Sequence, residues 1–184
     1  GETVTADAVV VAAGPEESRR LTGLNSIPKQ GRGVQTQYFR LPEGNPLAEQ
    51  GRIHLNAADA VPNQVVSLSA VAPSYAPESA GLLAASTNSA EAHDPDSIAE
   101  RTREVLASWY PAASFDDLEL LETISIPFAQ YEQPPGIHET LPAADSPDGA
   151  VYLAGDVTTD SSINGALRSG REAAEAISRD EPYR

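Results

Sequence analysis

The stretch at 151–177 reads VYLAGDVTTDSSINGALRSGREAAEAI, and it decides the fold of this sequence. Its first four residues, 151–154, are apolar and predict a short strand that is covered on both faces. Gly155 and Asp156 end that strand, and Ser161 and Ser162 are candidate N-caps for a following helix. A strand-end carboxylate beside the free N–H groups of a helix start is suited to hold a polar ligand.

The helix predicted after this loop has one apolar side. The residues that recur at helical spacing, and that we expect to face the core, are Ile163, Ala166, Leu167, Gly170, Ala174 and Ile177. Charged residues fall mainly on the other sides of the helix. Because glycine and alanine have little or no side chain, Gly165, Ala166 and Gly170 let another group approach the first turns closely.

Composition limits the classes of function. The chain has 184 residues, enough for one domain of ordinary size or two small ones, and its net charge of −15 argues against nucleic acid as a partner. The absence of cysteine excludes disulfides, thiolate metal sites and a cysteine nucleophile. Lys29 is the only lysine, and an acidic surface that prefers arginine is typical either of solubility at high salt or of a GC-rich genome.

The sequence has neither a signal peptide nor an apolar run of about 18 residues. We therefore expect no transmembrane segment and a cytoplasmic location, with peripheral membrane association left open. The sequence also lacks methionine, even at position 1, and we expect it to be a piece of a longer protein.

Apolar alternation and turn residues divide the rest of the chain. We predict strands at 6–13, 34–41, 51–56, 64–71, 81–87 and 118–126, and helices at 16–24 and 97–110. Pro127 is expected to close the last of these strands, and a loop follows over 128–149. Successive strands with short connections indicate an antiparallel sheet at about 33–127. Buried strands on both sides of this sheet indicate a discontinuous, two-domain chain.

Several segments resemble landmarks of one family, the FAD-dependent oxidoreductases of the amine oxidase and phytoene desaturase superfamily. The segment Asp7 to Gly14 resembles the one that closes the first half of those enzymes. The run Leu153 to Asp156, with Ser162 to Ala166 and Ser169 to Ala174, resembles their C-terminal flavin motif. Weaker similarities to their substrate domain are found at Tyr38-Phe39, Pro73 to Ala76 and Ile126 to Ala129.

The resemblance implies an α/β (α+β) fold, namely the C-terminal part of an FAD/NAD(P)-binding flavoprotein with an inserted antiparallel substrate domain. Residues 1–30 would be a returning part of the FAD-binding domain, 31–130 the substrate domain and 131–184 the C-terminal FAD-binding segment. The glycine-rich fingerprint G-x-G-x-x-G is absent, and Pro15 removes an N–H that a phosphate cradle after 6–13 would need. We therefore expect the N-terminal FAD-binding part of the same protein to be a partner of this chain.

The resemblance also implies which residues contact the flavin. Asp156 would bind the ribityl–pyrophosphate part of FAD, and the backbone at Ile163 and Asn164 would face the pyrimidine edge of the ring. Gly165 and Ala166 would permit this close approach. The predicted cofactor-binding set is Gly155, Asp156, Ser162, Ile163, Asn164, Gly165 and Ala166.

The expected reaction is hydride transfer to FAD from a small organic substrate that is mostly apolar or bears an amine. Gln130, Tyr131 and His138 are candidates to line the substrate cavity, and no catalytic base is assigned. The alternative is a non-catalytic binding or assembly module that needs a separate FAD-binding chain. A magnesium site at Asp156 and Asp160 lacks a third carboxylate, so we predict no metal.

Overall fold

The strands form two separate sheets in a computed structural model that describes residues 2–57, 61–88 and 93–180. The strands are β1 (Val9–Val11), β2 (Gly31–Leu41), β3 (Ile53–Leu55), β4 (Gln64–Ser67), β5 (Gly81–Asn88), β6 (Glu119–Tyr131) and β7 (Val151–Leu153). The α-helices are α1 (Pro15–Thr22), α2 (Leu68–Val71), α3 (Pro95–Trp109) and α4 (Ile163–Asp180). The fold is therefore mixed α/β, with a parallel and an antiparallel sheet.

The chain divides into two compact units. The discontinuous unit comprises Gly1–Gly31 and Gln130–Arg184, and the central unit comprises Arg32–Ala129. In the discontinuous unit β1 pairs in parallel with β7. In the central unit the strand order is β3-β4-β5-β2-β6, and the pairs β3–β4, β4–β5 and β2–β5 are antiparallel. The connection between the strands predicted at 51–56 and 64–71, and the C-terminal segment predicted at 131–184, lie partly outside the described residues.

The core of the central unit follows from strict alternation along β2. Phe39 is fully buried and lies opposite Leu83 of β5, and both belong to a cluster that includes Leu106 of α3. Gln37, also buried on this face, donates its amide to the carbonyl oxygen of Pro95 at 2.7 Å. A buried polar side chain needs such a partner, and here it holds the start of α3 on the sheet.

Every predicted strand is found with bounds that differ from the prediction, and three of these differences are informative. The strand at 6–13 is reduced to β1, where Val9 and Val10 are about half exposed because this sheet has only two described strands. The strand at 64–71 ends at Ser67, and the chain then forms the short helix α2. Pro127 does not close β6, which continues to Tyr131. Since β6 is an edge strand, the missing N–H of proline is tolerated there.

The predicted buried side of α4 is wrong. Ile163 and Leu167 are 82% and 71% exposed, and Ala166, Gly170 and Ala174 are exposed as well. The buried side instead carries small residues, namely Gly165, Ser169, Ala173 and Ala176. Small side chains allow the helix to pack closely on its unit. A prediction that assigns the largest apolar residues to the buried side therefore selects the wrong face of α4. No helix in the described part of the chain is long and apolar enough to cross a membrane.

Candidate functional site

The end of β7 is anchored to α4 by one buried serine. The backbone N–H of Gly155 donates to the hydroxyl of Ser169 at 2.8 Å, and this hydroxyl donates to the carbonyl oxygen of Ala166 at 2.7 Å. Ser169 is fully buried. Gly155 has a φ of 147°, a conformation that favours glycine, and it lets the chain turn away from the strand. The position of Asp156 is thus set by both the strand and the helix.

Asp156 lies in a short 3-10 turn and is half-buried. One oxygen of its carboxylate, Oδ2, accepts a hydrogen bond from the hydroxyl of Ser161 at 2.9 Å. Within the described residues no hydrogen bond reaches the other oxygen, Oδ1. The nearby Asp160 is paired with Arg168 and also accepts from the hydroxyl of Ser162. Asp156 is therefore oriented by a neutral hydroxyl and keeps an oxygen available to a ligand.

The first turn of α4 offers free donors. The hydroxyl of Ser162 accepts from the N–H of Gly165 at 2.9 Å, which is the predicted N-cap bond. The N–H groups of Ile163 and Asn164 donate to no other described group, and both side chains are exposed. Unpaired N–H groups at the positive end of an 18-residue helix favour a ligand oxygen with negative charge.

A glycine is needed at position 165 because the preceding loop of the same chain packs against it. A Cβ atom at this position would lie 2.1 Å from the carbonyl oxygen of Asp160 and 2.8 Å from the hydroxyl of Thr159. The predicted reason for this glycine was the approach of a ligand, whereas the structure fills the space with the loop that precedes the helix. Ala166, by contrast, is exposed. The hydroxyl oxygen of Thr159 is buried and has no hydrogen-bond partner among the described residues.

The segment 130–138 binds the backbone of the same loop. The amide of Gln130 donates to the carbonyl oxygen of Ser161 at 2.9 Å, and the amide oxygen of Gln133 accepts from the Ser161 N–H at 3.2 Å. The hydroxyl of Tyr131 donates to the carbonyl oxygen of Asp156 at 3.3 Å. Nδ1 of His138 lies 2.8 Å from the carbonyl oxygen of Thr159. The three residues predicted to line a substrate cavity are thus brought together along the loop.

Tyr131 is the most buried of them, with 2% of its surface exposed. Burial raises the pKa of its hydroxyl to about 12, and the negative charges of Asp156 and Asp160 act in the same direction. The nearby backbone N–H of Ser161 has the opposite, smaller effect on this pKa. The hydroxyl therefore stays protonated and can keep donating to the loop. Its burial leaves little surface for contact with a substrate.

Three residues that support the site were not in the predicted set. Ser169 could have been suspected, because it is the polar member of the small-residue stripe that also contains Gly165 and Ala173. Ser161 was predicted only as a cap. Gln133 lies in a proline-containing loop, and nothing in the local sequence marks it. Its role depends on a contact 28 positions away along the chain.

Metal ligands do not cluster in the described residues. No group of three or more histidine, aspartate or glutamate side chains there could hold an ion. His54 belongs to the central unit, where its Nδ1 lies 3.2 Å from the hydroxyl of Tyr110. Burial, followed by the charge of Arg52, lowers the pKa of His54.

Comparison with known proteins identifies the family. The model of the flavin containing amine oxidoreductases matches residues 1–178. No curated protein matches the chain. Similar solved structures include an oxidoreductase from Methanosarcina mazei, with a TM-score of 0.60 and 15% identity over 92% of this chain and 43% of that chain. A protein from Exiguobacterium sp. 255-15, assigned as a protoporphyrinogen oxidase, has a TM-score of 0.67 and 13% identity over 96% and 42%.

A reduced UDP-galactopyranose mutase is also similar, with a TM-score of 0.62 and 13% identity over 98% of this chain and 43% of that chain. At these identities the structures show a shared fold only, and the names differ in the reaction they describe. The chain spans less than half the length of each of the three. The family match covers nearly the whole sequence and confirms the resemblance read from the flavin motif. The chain belongs to the flavin containing amine oxidoreductase family.

Proposed function

We propose that this chain is the C-terminal part of an FAD-dependent oxidoreductase and that the loop 155–166 forms one wall of its cofactor site. The observation that carries the proposal is that this loop contains both a hydrogen-bond acceptor and hydrogen-bond donors that are available to a ligand. Asp156 keeps a carboxylate oxygen available, and the N–H groups of Ile163 and Asn164 are unpaired among the described residues. The buried Thr159 hydroxyl without a partner is a further polar atom beside this wall.

A flavin fits this donor set. The carboxylate of Asp156 would accept from hydroxyl groups at the ribityl–pyrophosphate part of FAD. The N–H groups at Ile163 and Asn164 would donate to oxygen on the pyrimidine edge of the ring, and the helix dipole favours negative charge there. Four other residues of the loop shape this wall. Gly155 turns the chain and Ser162 caps the helix. Gly165 lets the preceding loop pack against the helix, and the small, exposed Ala166 leaves the helix surface open. When bound, FAD supplies two-electron oxidation chemistry by accepting a hydride from the substrate.

We further propose that the central unit is the substrate domain. The register of its sheet places Phe39 and Leu83 on the covered face, so that Tyr38, Leu82 and Ile53 lie on the opposite face. Exposed apolar side chains are also found on the two edge strands, at Ile53, Leu55, Leu121, Ile124 and Ile126, with exposures from 45% to 72%. An apolar wall of this kind suits a mostly apolar or amine-bearing substrate. Of the residues predicted to line a substrate cavity, Gln130 and His138 are exposed, whereas Tyr131 is buried.

The rest of the cofactor site is proposed to come from the N-terminal FAD-binding part of the same protein. Three observations support this. The chain spans only 42–43% of the length of the similar structures. Val9 and Val10 are about half exposed on the two-stranded sheet. Ile163 and Leu167 of α4 present an open apolar stripe, which a second segment would cover.

The test is flavin binding by the intact protein that contains this chain. Asp156→Ala should weaken FAD binding by about 10- to 100-fold, since hydrogen bonds to a charged group contribute about 1.5–3 kcal/mol. Asp148→Ala is the matched control, because Asp148 is an exposed carboxylate of the same unit. Full flavin retention by Asp156→Ala would contradict the assignment of Asp156. An intact wild-type protein without any flavin would instead favour the non-catalytic assembly module.

A further inference from the structure

Ser161 is held on both sides of its backbone by two glutamine side chains. The amide oxygen of Gln133 accepts its N–H at 3.2 Å, and the amide nitrogen of Gln130 donates to its carbonyl oxygen at 2.9 Å. The identity of each amide atom follows from its partner, because an N–H requires an acceptor and a carbonyl requires a donor. Ser161 itself is only 8% exposed, whereas both glutamines are exposed.

The side chain of Ser161 passes this constraint on to Asp156. Its hydroxyl donates to Oδ2 of Asp156 at 2.9 Å. A serine hydroxyl can point in three staggered directions, and the one it adopts depends on where its backbone is held. Because two hydrogen bonds fix the backbone of Ser161, its hydroxyl is placed to donate to Oδ2 of Asp156. The other carboxylate oxygen of Asp156, Oδ1, takes no part in that bond.

We propose that Gln130 and Gln133 are positioning residues for the Asp156 carboxylate and act on it through Ser161. The inference rests on the proposed function of Asp156 as a cofactor contact. It assigns to the end of β6, with Gln130, and to the residues just after it, with Gln133, the task of holding the cofactor loop in its binding conformation. Gln130 acts as a donor and Gln133 as an acceptor, so the two side chains are chemically distinct in spite of their identical type.

This distinction gives the test, because glutamate has the shape of glutamine but cannot donate when ionised. Gln133→Glu keeps the acceptor for the Ser161 N–H. Gln130→Glu loses the donor and places a carboxylate oxygen against the Ser161 carbonyl. Both variants add one negative charge at exposed sites three positions apart, so each is the charge control for the other. Gln133→Ala removes the acceptor without adding a charge.

In the intact protein, FAD affinity should fall about three- to tenfold in Gln130→Glu and in Gln133→Ala, as for the loss of one hydrogen bond. Gln133→Glu should recover most of the loss caused by Gln133→Ala. In a Ser161→Ala background Gln130→Glu should cause little additional loss, because the link to Asp156 is already cut. Equal effects of the two glutamate variants, or full additivity with Ser161→Ala, would overturn the proposal.

A second measurement does not depend on flavin. Hydrogen exchange of the Ser161 amide should be faster in Gln133→Ala than in the wild type, and slow again in Gln133→Glu. Unchanged exchange in Gln133→Ala would overturn the positioning role even in a protein that binds no cofactor. If exchange responds as expected while the wild type binds no FAD, the proposed function fails and the inferred contact geometry stands.

Discussion

The two glycines of α4 provide a sharp test of how the site is built. A Cβ atom added at Gly165 would lie 2.1 Å from the carbonyl oxygen of Asp160 and 2.8 Å from a carboxylate oxygen of the same residue. A Cβ atom added at Gly170 would meet nothing within 4 Å. Both residues belong to the same helix, so both alanine variants gain helix propensity. Only the Gly165 variant also creates a steric clash, with Asp160.

The magnitude follows from that geometry. Alanine is favoured over glycine inside a helix by about 0.8–1 kcal/mol, and Gly170→Ala should gain about this amount of unfolding free energy. Gly165→Ala must move a backbone carbonyl by about 1 Å, and such overpacking costs about 1–3 kcal/mol or more. The displaced atoms belong to the loop that carries Asp156, so a stability loss is expected together with a disturbed site.

The assay is urea unfolding of the intact protein that contains this chain, monitored by the circular dichroism signal of its helices, for the wild type and both variants. Gly165→Ala should lower the urea midpoint, and Gly170→Ala should raise it. If Gly165→Ala is as stable as Gly170→Ala, the loop does not occupy the space beside residue 165. The reason given for that glycine would then be wrong.

Two further changes test the supports of the loop. Ser169→Ala removes the acceptor of the Gly155 N–H and should lower the free energy of unfolding, measured with denaturant, by about 1–3 kcal/mol. The matched control is Ser178→Ala, on the exposed side of α4, which should change the free energy of unfolding by less than about 0.5 kcal/mol. Because the pKa of Tyr131 is raised from 10.0 to about 12, the folded chain keeps a proton that the unfolded chain loses in this range. Its contribution to stability should be constant below about pH 10 and should be lost as the pH rises towards 12. Unfolding free energies measured from about pH 8 to about pH 12 should fall less steeply in Tyr131→Phe, and an identical slope would contradict the raised pKa.

The sequence was most informative where one face of an element is plainly apolar. The alternation at 34–41 predicted most of β2, and the helix predicted at 97–110 covers most of α3. Asp94 caps this helix by accepting from the N–H of Ser97 at 2.9 Å. The N-cap at Ser162 was also predictable, because a serine before a periodic run is the usual helix start. These signals are local, so no tertiary contact is needed to read them.

Prediction failed where tertiary contacts decide the outcome. Pro127 was expected to end a strand, but an edge position tolerates it. Polar residues of the site were missed for the same reason. Gln133 lies 28 positions from Ser161 along the chain, and only the folded loop brings the two together. The residue type at one position does not indicate which distant residue it will hydrogen-bond in the folded chain.

The two sides of α4 explain why the site has to be argued from polar contacts. Its small-residue side, with Gly165 and Ser169, packs inward and fixes the loop that holds Asp156. Its larger apolar residues, Ile163 and Leu167, remain exposed although they gave the stronger periodic signal. Substitutions on the inner side should therefore act first on stability. Substitutions on the outer side should leave the chain folded and act on whatever covers the helix, which we propose to be the cofactor and the N-terminal part of the protein.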